Sequence, residues 1–348
     1  MKHAPSSSED REVMDQFNAH LDRGWELLSR GDFSGALLSA QKSLELDEES
    51  PEAHNLMGYI HAAEGDADGA LEHYQRAIDI DESYIEAMLN AAEVLIHPLR
   101  EFESAIEMVE SALEYCENDE EMTDAMLVRI DALLQAGRRD EASECLARLP
   151  EGPFENPQVD FLIGRAKFET QEFEGAEKHL RRAIEREGKS ADAHYYLGLV
   201  LDSKKDSRGA TASFLRTREL DQALPHPAWA AESGYFEERV KKAVERLPEE
   251  LRAYLEGTLV LVADAPGVEV VAEGVDPRAT VLLDDIHESA PAHLGRLFVY
   301  QRNLERSVTS LAEIEDEIYE TLKREIEAAF SPSESEGSEA KGSKSAAH

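Results

Sequence analysis

One motif returns every 34 residues, with one-residue slips, and it constrains this chain more than any other feature. The stretch "SRGDFSGALLSAQKSLELDEES" recurs as "AEGDADGALEHYQRAIDIDESY" and as "LREFESAIEMVESALEYCEND". It returns again as "QAGRRDEASECLARLPEGP", "TQEFEGAEKHLRRAIEREGKS" and "SKKDSRGATASFLRTRELDQAL". A matching half precedes four of them: "DRGWELL", "NLMGYIH", "LIGRAKF" and "YLGLVLD". Gly24, Gly58, Gly164 and Gly198 fall where two helices of a unit must touch, and Ala36, Ala70, Ala105, Ala142, Ala176 and Ala210 fill the answering place on the second helix. Gly31, Gly65 and Gly137 mark the turn between the helices, a position that favours glycine. A two-helix unit cannot bury its apolar stripe alone, so a chain of such units must stack.

These residues resemble the tetratricopeptide repeat, with six units across residues 17–224. The resemblance implies a mainly α fold, a right-handed superhelix whose concave groove is lined by the first helix of each unit. Laid on this sequence, the repeat puts Leu21, Trp25, Asn55, Tyr59, Leu89, Glu93, Phe161, Arg165, Phe168, Tyr195 and Asp202 in that groove. Aromatic and aliphatic anchors among scattered polar groups suit an extended peptide or a helix laid in a groove. The same side chains are equally suited to burial against a neighbouring repeat or the C-terminal domain. Repeats that clamp a partner's terminal carboxylate carry lysine at fixed first-helix positions. Here those positions hold Leu21, Asn55, Leu89, Phe161 and Tyr195, so the cations a carboxylate needs are missing.

Charge narrows the partner. The 348 residues include 74 acidic and 36 basic side chains, a formal charge of -38. Nucleic-acid affinity rests on cations that neutralise phosphates, and an anionic membrane surface repels such a chain for the same reason. No nucleic acid and no membrane is therefore expected, and a protein partner with a basic or amphipathic segment is. Homo-oligomers stay open, since end repeats can self-associate. The only cysteines, Cys116 and Cys145, sit inside helical patterns and read as small core residues. Residues 1–16 read as a flexible start without the apolar segment of a signal peptide, so a cytoplasmic location is expected. No phosphate loop, nucleophile elbow or cysteine triad occurs, and no cofactor is expected.

The period stops in a linker at residues 225–234, which holds Pro225, Pro227 and Gly234. "YFEERVKKAVERLPEELRAYLEG" then reads as helix, Pro248, short helix. Four strands are expected at 258–264, 268–274, 279–285 and 296–303, and a closing helix over about 309–330. Leu311, Ile314, Ile318, Leu322, Ile326 and Phe330 form the inward stripe of that helix. Residues 235–331 thus form a small α+β domain, and 332–348, Ser-, Gly- and charge-rich, a disordered tail.

The order of these parts resembles the minimal zincin-like metallopeptidase family. The carriers are Leu247 to Leu251 (a Leu-Pro-Glu-Glu segment), "LVLVADAP", the "LFVYQRN" strand from Leu297 to Asn303, and the helix beyond it, which in that family carries H-E-x-x-H. The middle of the domain departs from the pattern. Carried over, the first zinc ligand is Arg324, the general base Glu325 and the second ligand Ala328. Arginine is a permanent cation and alanine has no donor atom, so the family's zinc cannot bind there. No metal and no catalytic residue is expected. His287 and His293, six apart around Pro291 and preceded by Asp284 and Asp285, read as exposed loop residues.

The expected function is a non-catalytic interaction adaptor: an acidic groove docks a partner segment, and a pseudo-peptidase domain adds a second surface that regulates the partner. The alternative is a hydrolase or metallopeptidase with relocated zinc ligands, which would require stoichiometric bound zinc.

Overall fold

A computed structural model describes residues 8–287 and 292–330. The chain divides into two compact units, Met1–Gly188 and Lys189–His348.

The first unit is five helical hairpins in sequence: α1 (Ser8–Ser29) with α2 (Phe33–Leu46), α3 (Pro51–Glu64) with α4 (Ala67–Ile80), α5 (Ile85–Ile96) with α6 (Phe102–Leu113), α7 (Asp119–Gln135) with α8 (Arg139–Leu146), and α9 (Pro157–Glu169) with α10 (Phe173–Arg186). Residues 8–16, expected as a flexible start, are the first turns of α1, and residues 1–7 lie outside the described residues. The correction has a simple cause: Phe17 is buried and anchors the helix from inside.

Each hairpin turn is set by short-range chemistry. The Asp32 and Asp66 side chains accept hydrogen bonds from the Gly35 and Gly69 backbone N–H groups and so cap α2 and α4. A Cβ at Gly35 or Gly69 would lie 2.5 or 2.4 Å from the capping carboxylate, so glycine at the third position lets that carboxylate sit close over the helix end. The turns themselves have positive φ. Gly31, Gly65 and Gly137 adopt it freely, whereas Arg100 and Gln171 adopt it against the steric preference of a side-chain-bearing residue. Between helices, Gly58 lets the buried Tyr74 ring lie against the α3 backbone, at 2.6 Å from where a Cβ would stand. Ala36, Ala70, Ala105, Ala142 and Ala176 are fully buried. Each hairpin touches the next, and the first helices α1, α3, α5, α7 and α9 also contact one another in series, making a continuous inner wall. Cys145 is buried, Cys116 is half-buried, and both are free thiols pushed above their ordinary pKa by desolvation.

The second unit opens with a sixth hairpin, α11 (Ala191–Ser203) and α12 (Ser207–Ala223), capped by Asp206 on Gly209 in the same way. There the positive-φ turn residue is Lys205. It continues through α13 (Ser233–Arg246), α14 (Glu249–Ala253), β1 (Leu259–Ala263), α15 (Val268–Ala272), β2 (Val281–His287), β3 (His293–Tyr300), α16 (Gln301–Glu305) and α17 (Ile314–Phe330). The sheet order is β1-β3-β2, with β1 parallel and β2 antiparallel to β3. Val262, Val281, Leu283, Leu297 and Val299 turn one sheet face into a core with Phe236, Val240, Ile318, Leu322 and Ile326 of the flanking helices.

Four expectations for this unit are corrected. The segment 268–274 is not a strand: its β-branched run forms the short helix α15, closed by Gly274 at φ +104, because tertiary burial of Val271 outweighs local β propensity. The closing helix starts at Ile314 and not near 309, since the Glu313 carboxylate draws the Thr309 N–H and the Thr309 and Ser310 hydroxyls into a turn of their own. His287 and His293 do not sit in a loop. They are cross-strand partners at the end of the β2–β3 ladder, their rings stacked with centroids 4.4 Å apart. The 225–234 linker is also tied down within this unit. Ala231 N–H donates to the buried Glu305 carboxylate, which also pairs with His226, and Gln301 donates to Ala231 O. The expected tail, 332–348, lies outside the described residues.

Candidate functional site

The inner wall of the first unit carries a row of side chains from equivalent points on successive helices: Trp25, Tyr59, Glu93, Asp131 and Arg165. Its character changes along the row. Trp25 and Tyr59 meet edge-to-face with ring centroids 5.5 Å apart, and Tyr59 remains 44% exposed. Beyond them the wall turns acidic. A cavity of ≈ 850 Å³ opens over α3, α5, α7 and α9, floored by Leu89, Leu127, Val128, Leu134 and Leu162 and edged by Glu86, Glu93, Asp124 and Asp131. Arg165 is the cation in this lining, and it is held: Asp131 accepts from it at 3.1 Å and also pairs with His97 at 2.9 Å.

This setting disfavours the charge it carries. Desolvation first, then the Asp131 carboxylate, push the Glu93 pKa above the ordinary carboxylate range, although its outer surface stays solvated. Asp124 is pushed up by desolvation and by Glu120, and Glu169 by desolvation and Asp131 against the opposing pull of Arg165. Like charges in a partly dry groove raise one another's pKa values, and an incoming cation relieves them.

Of the expected groove residues, Tyr59, Leu89, Glu93 and Arg165 line this cavity. Leu21 and Trp25 are half-buried against the first hairpin core. Phe168 is half-buried beside Phe173, ring centroids 6.1 Å apart. Two positions are withdrawn from solvent. Phe161 is buried. Asn55 is fully buried and ties two repeats together, donating to Glu86 and to Tyr84 and accepting from Asn90. The groove residues expected from the repeat include none from the fourth unit. In the structure α7 supplies Asp124, Leu127, Val128 and Asp131. The signal that could have found them is the spacing of six residues from Asp131 to the turn glycine Gly137, matching Tyr59 to Gly65.

Tyr195 and Asp202 belong to the second unit and are engaged there. The Tyr195 hydroxyl donates to Asp276 at 2.8 Å, and the Arg278 guanidinium lies over its ring, 4.6 Å from the centroid. Asp202 is exposed at the mouth of a ≈ 320 Å³ cavity shared with Ala272, Glu273 and Asp276.

The positions 324, 325 and 328, aligned in sequence with the peptidase motif, lie elsewhere again. Helix α17 turns Ile314, Ile318, Thr321, Leu322 and Ile326 inward. That places Arg324, whose side chain is 63% exposed and paired with Glu325 at 3.2 Å, and Ala328 on the solvent side. Two ligands at 324 and 328 would face water and no cleft. Among the described residues, no group of three or more His, Cys, Asp or Glu side chains is arranged to hold a metal ion, and no helix is long and apolar enough to cross a membrane.

Comparisons with known proteins agree with the hairpin geometry. Two family models, each described as "Tetratricopeptide repeat", match residues 21–85 together with 161–225, and residues 99–166. Among solved structures, PilF of Pseudomonas aeruginosa superposes with a TM-score of 0.51 at 19% identity, over 60% of this chain and 93% of that one. PilW, titled a widely conserved type IV pilus biogenesis factor, gives 0.51 at 17% identity, over 58% and 92%. At such identities the likeness is one of fold. No curated protein matches the sequence. With matched segments that together span more than half of its length, the chain belongs to the tetratricopeptide repeat proteins.

Proposed function

We propose that the protein is a non-catalytic adaptor whose first unit docks a partner segment in the groove of α3, α5, α7 and α9, and that the segment is amphipathic and carries at least one Lys or Arg. One observation carries this reading: the groove joins an apolar floor to carboxylates at Glu93 and Asp124 whose pKa values are raised. An apolar side of the segment covers Leu89 and Leu134, and its cation takes the place of the missing counter-charge. Tyr59 and Trp25 offer rigid aromatic anchors at the neighbouring end of the row. Holding a partner in this way is the means by which the protein regulates it.

The test is affinity capture by the full chain and by a Glu93→Lys/Asp124→Lys variant, whose fold is checked by circular dichroism. Loss of the captured partner in the folded variant supports the reading; an unchanged set of captured proteins sinks it. The sign of the pH dependence is a second handle. A bound cation lowers the pKa values of Glu93 and Asp124, so binding releases protons, and affinity falls as pH drops through the raised carboxylate range.

We read the α+β domain as non-catalytic as well. Its kinship to the zincin-like peptidases rests on the sequence pattern of Leu247–Leu251 and Leu297–Asn303, and its motif positions point to solvent. Metal analysis of the purified protein tests this: stoichiometric zinc would return the relocated-ligand peptidase to first place.

A further inference from the structure

Among the described residues, strand β1 is an edge strand that carries no charge and no proline. Natural edges are blunted by inward charges, proline, bulges or a covering element. The five residues Leu259–Ala263 are all aliphatic, and their ladder to β3 is unbroken from Leu259↔Arg296 to Ala263↔Tyr300. The outer side of β1 pairs with no strand among the described residues. Leu259 is 56% and Val260 37% exposed, which is unusual for a strand of this composition.

The sheet face away from the helices is apolar too. Strand alternation and the ladder registers put Leu259 and Leu261 of β1, Phe298 of β3 and Leu282 of β2 on it, with the Asp284–Arg296 ion pair toward its end. Both charge pairs that border this region are closed: Asp264 with Arg302 at 3.0 Å, and Asp284 with Arg296 at 2.8 Å. In a chain of formal charge -38, β1 is therefore a locally neutral edge.

We propose that β1 pairs antiparallel with β1 of a second copy, joining two three-stranded sheets into one of six strands. Symmetry selects the register. A two-fold axis perpendicular to the sheet keeps each face on its own side, so it must pass through a residue and not between two. Centred on Leu261, it pairs all five residues: Leu261 with its own copy, Val260 with Val262, and Leu259 with Ala263. Aliphatic then meets aliphatic at every position, and the apolar face continues across the junction. Self-complementarity favours a second copy over a basic foreign strand, for which β1 itself offers no carboxylate. An isologous contact of this kind closes at two copies. It also links two peptide grooves in one particle, which raises avidity for a partner with two docking segments.

Sedimentation of the full chain over roughly 1–100 µM, a range that brackets micromolar association, tests the proposal. The expected result is a mass rising from one chain to two. A Leu261→Lys variant should stay at one chain throughout, while Ile286→Lys, on the far edge of the sheet, should still dimerise. A single-chain mass for the wild type at the highest concentration overturns the proposal. So does a dimer that survives Leu261→Lys or that only Ile286→Lys dissolves. Should Leu261→Lys fail to fold by circular dichroism, hydrogen exchange of the wild type decides: β1 amides must exchange more slowly at high than at low concentration. Exchange independent of concentration rules the pairing out.

Discussion

The two units of this protein are held together by different kinds of contact. In the first, a turn residue with positive φ and a fully buried alanine recur in all five hairpins, and an Asp caps the second helix in two of them. Its buried contacts link neighbouring hairpins. The second unit is tied by arginines that reach across long stretches of chain. Arg278 and Arg306 both donate to Asp221, 57 and 85 residues away, and Arg302 donates to the carbonyls of Asp221 and Leu224. Glu305, fully inside, gathers Ala231, His226 and Gln301. Local grammar builds an array that grows by addition, while a mixed domain needs non-local polar ties to fix its one arrangement.

Breaking the long-range ties should do the most damage. Asp221→Ala leaves Arg278 and Arg306 without their shared carboxylate and should cost about 3 kcal/mol, the lower end for a buried pair because both arginines reach solvent. Chemical denaturation measures it. Desolvation alone would raise the Asp221 pKa, but hydrogen bonds from Arg306 and Arg278 outweigh it and hold the value below the usual aspartate range. Its contribution is therefore complete above the unfolded aspartate pKa and is lost as pH falls through the folded one. Acid unfolding of the variant should lack that part of the decline.

Next come the close fits of the repeats. A Cβ at Gly198 would stand 2.4 Å from the Phe214 ring and one at Gly58 2.6 Å from the buried Tyr74 ring. Gly198→Ala and Gly58→Ala should each cost about 2 kcal/mol in thermal or urea unfolding. Gly24→Ala should cost less, because the atom it meets is the Leu56 Cδ2 methyl, at the free end of a flexible side chain.

The positive-φ turns sharpen the comparison in the opposite direction. Gln171→Gly in the first unit and Lys205→Gly in the second relieve the same left-handed turn. Each should stabilise its unit by about 0.5–1 kcal/mol, the strain relieved exceeding the extra freedom of the unfolded glycine. A loss of stability in either would mean that the side chain, and not the turn, holds that hairpin.

A pH effect should separate the units further. His73 stacks between His54 and His61, with centroids 5.4 and 5.3 Å away. Desolvation, and for His73 the two neighbouring imidazoles, lower the His54 and His73 pKa values. Below the ordinary histidine value the unfolded chain binds more protons than the folded one, so the first unit should lose stability as pH falls from that point. His73→Gln should flatten this part of the pH profile. The smallest effect is expected on helix α17: Arg324→Ala, on an exposed helix face, should shift stability by less than about 0.5 kcal/mol.

How much of this was legible in the sequence differs by region for the same reason. Six hairpins, their turns and their contact alanines could be read because each is enforced by residues within one repeat of each other. The groove was readable only in part. Repeat position places Asn55 and Tyr59 on the same helix, yet Asn55 is consumed by Tyr84, Glu86 and Asn90 of the next hairpin while Tyr59 stays open. The contribution of α7 is marked in the sequence only by its distance to the turn glycine, since its helix, like α5, lacks the glycine of the other first helices.

The sequence by itself determined the repeat, its period and the acidic character of the chain, since these depend on residue type and short spacing. Tertiary structure alone decided that Tyr195 is bound by Asp276 and Arg278, that 268–272 is helical, that His287 faces His293, and that β1 is left at an edge. Those outcomes depend on groups far apart in the chain competing for the same space and the same hydrogen bonds, and no local pattern records who wins.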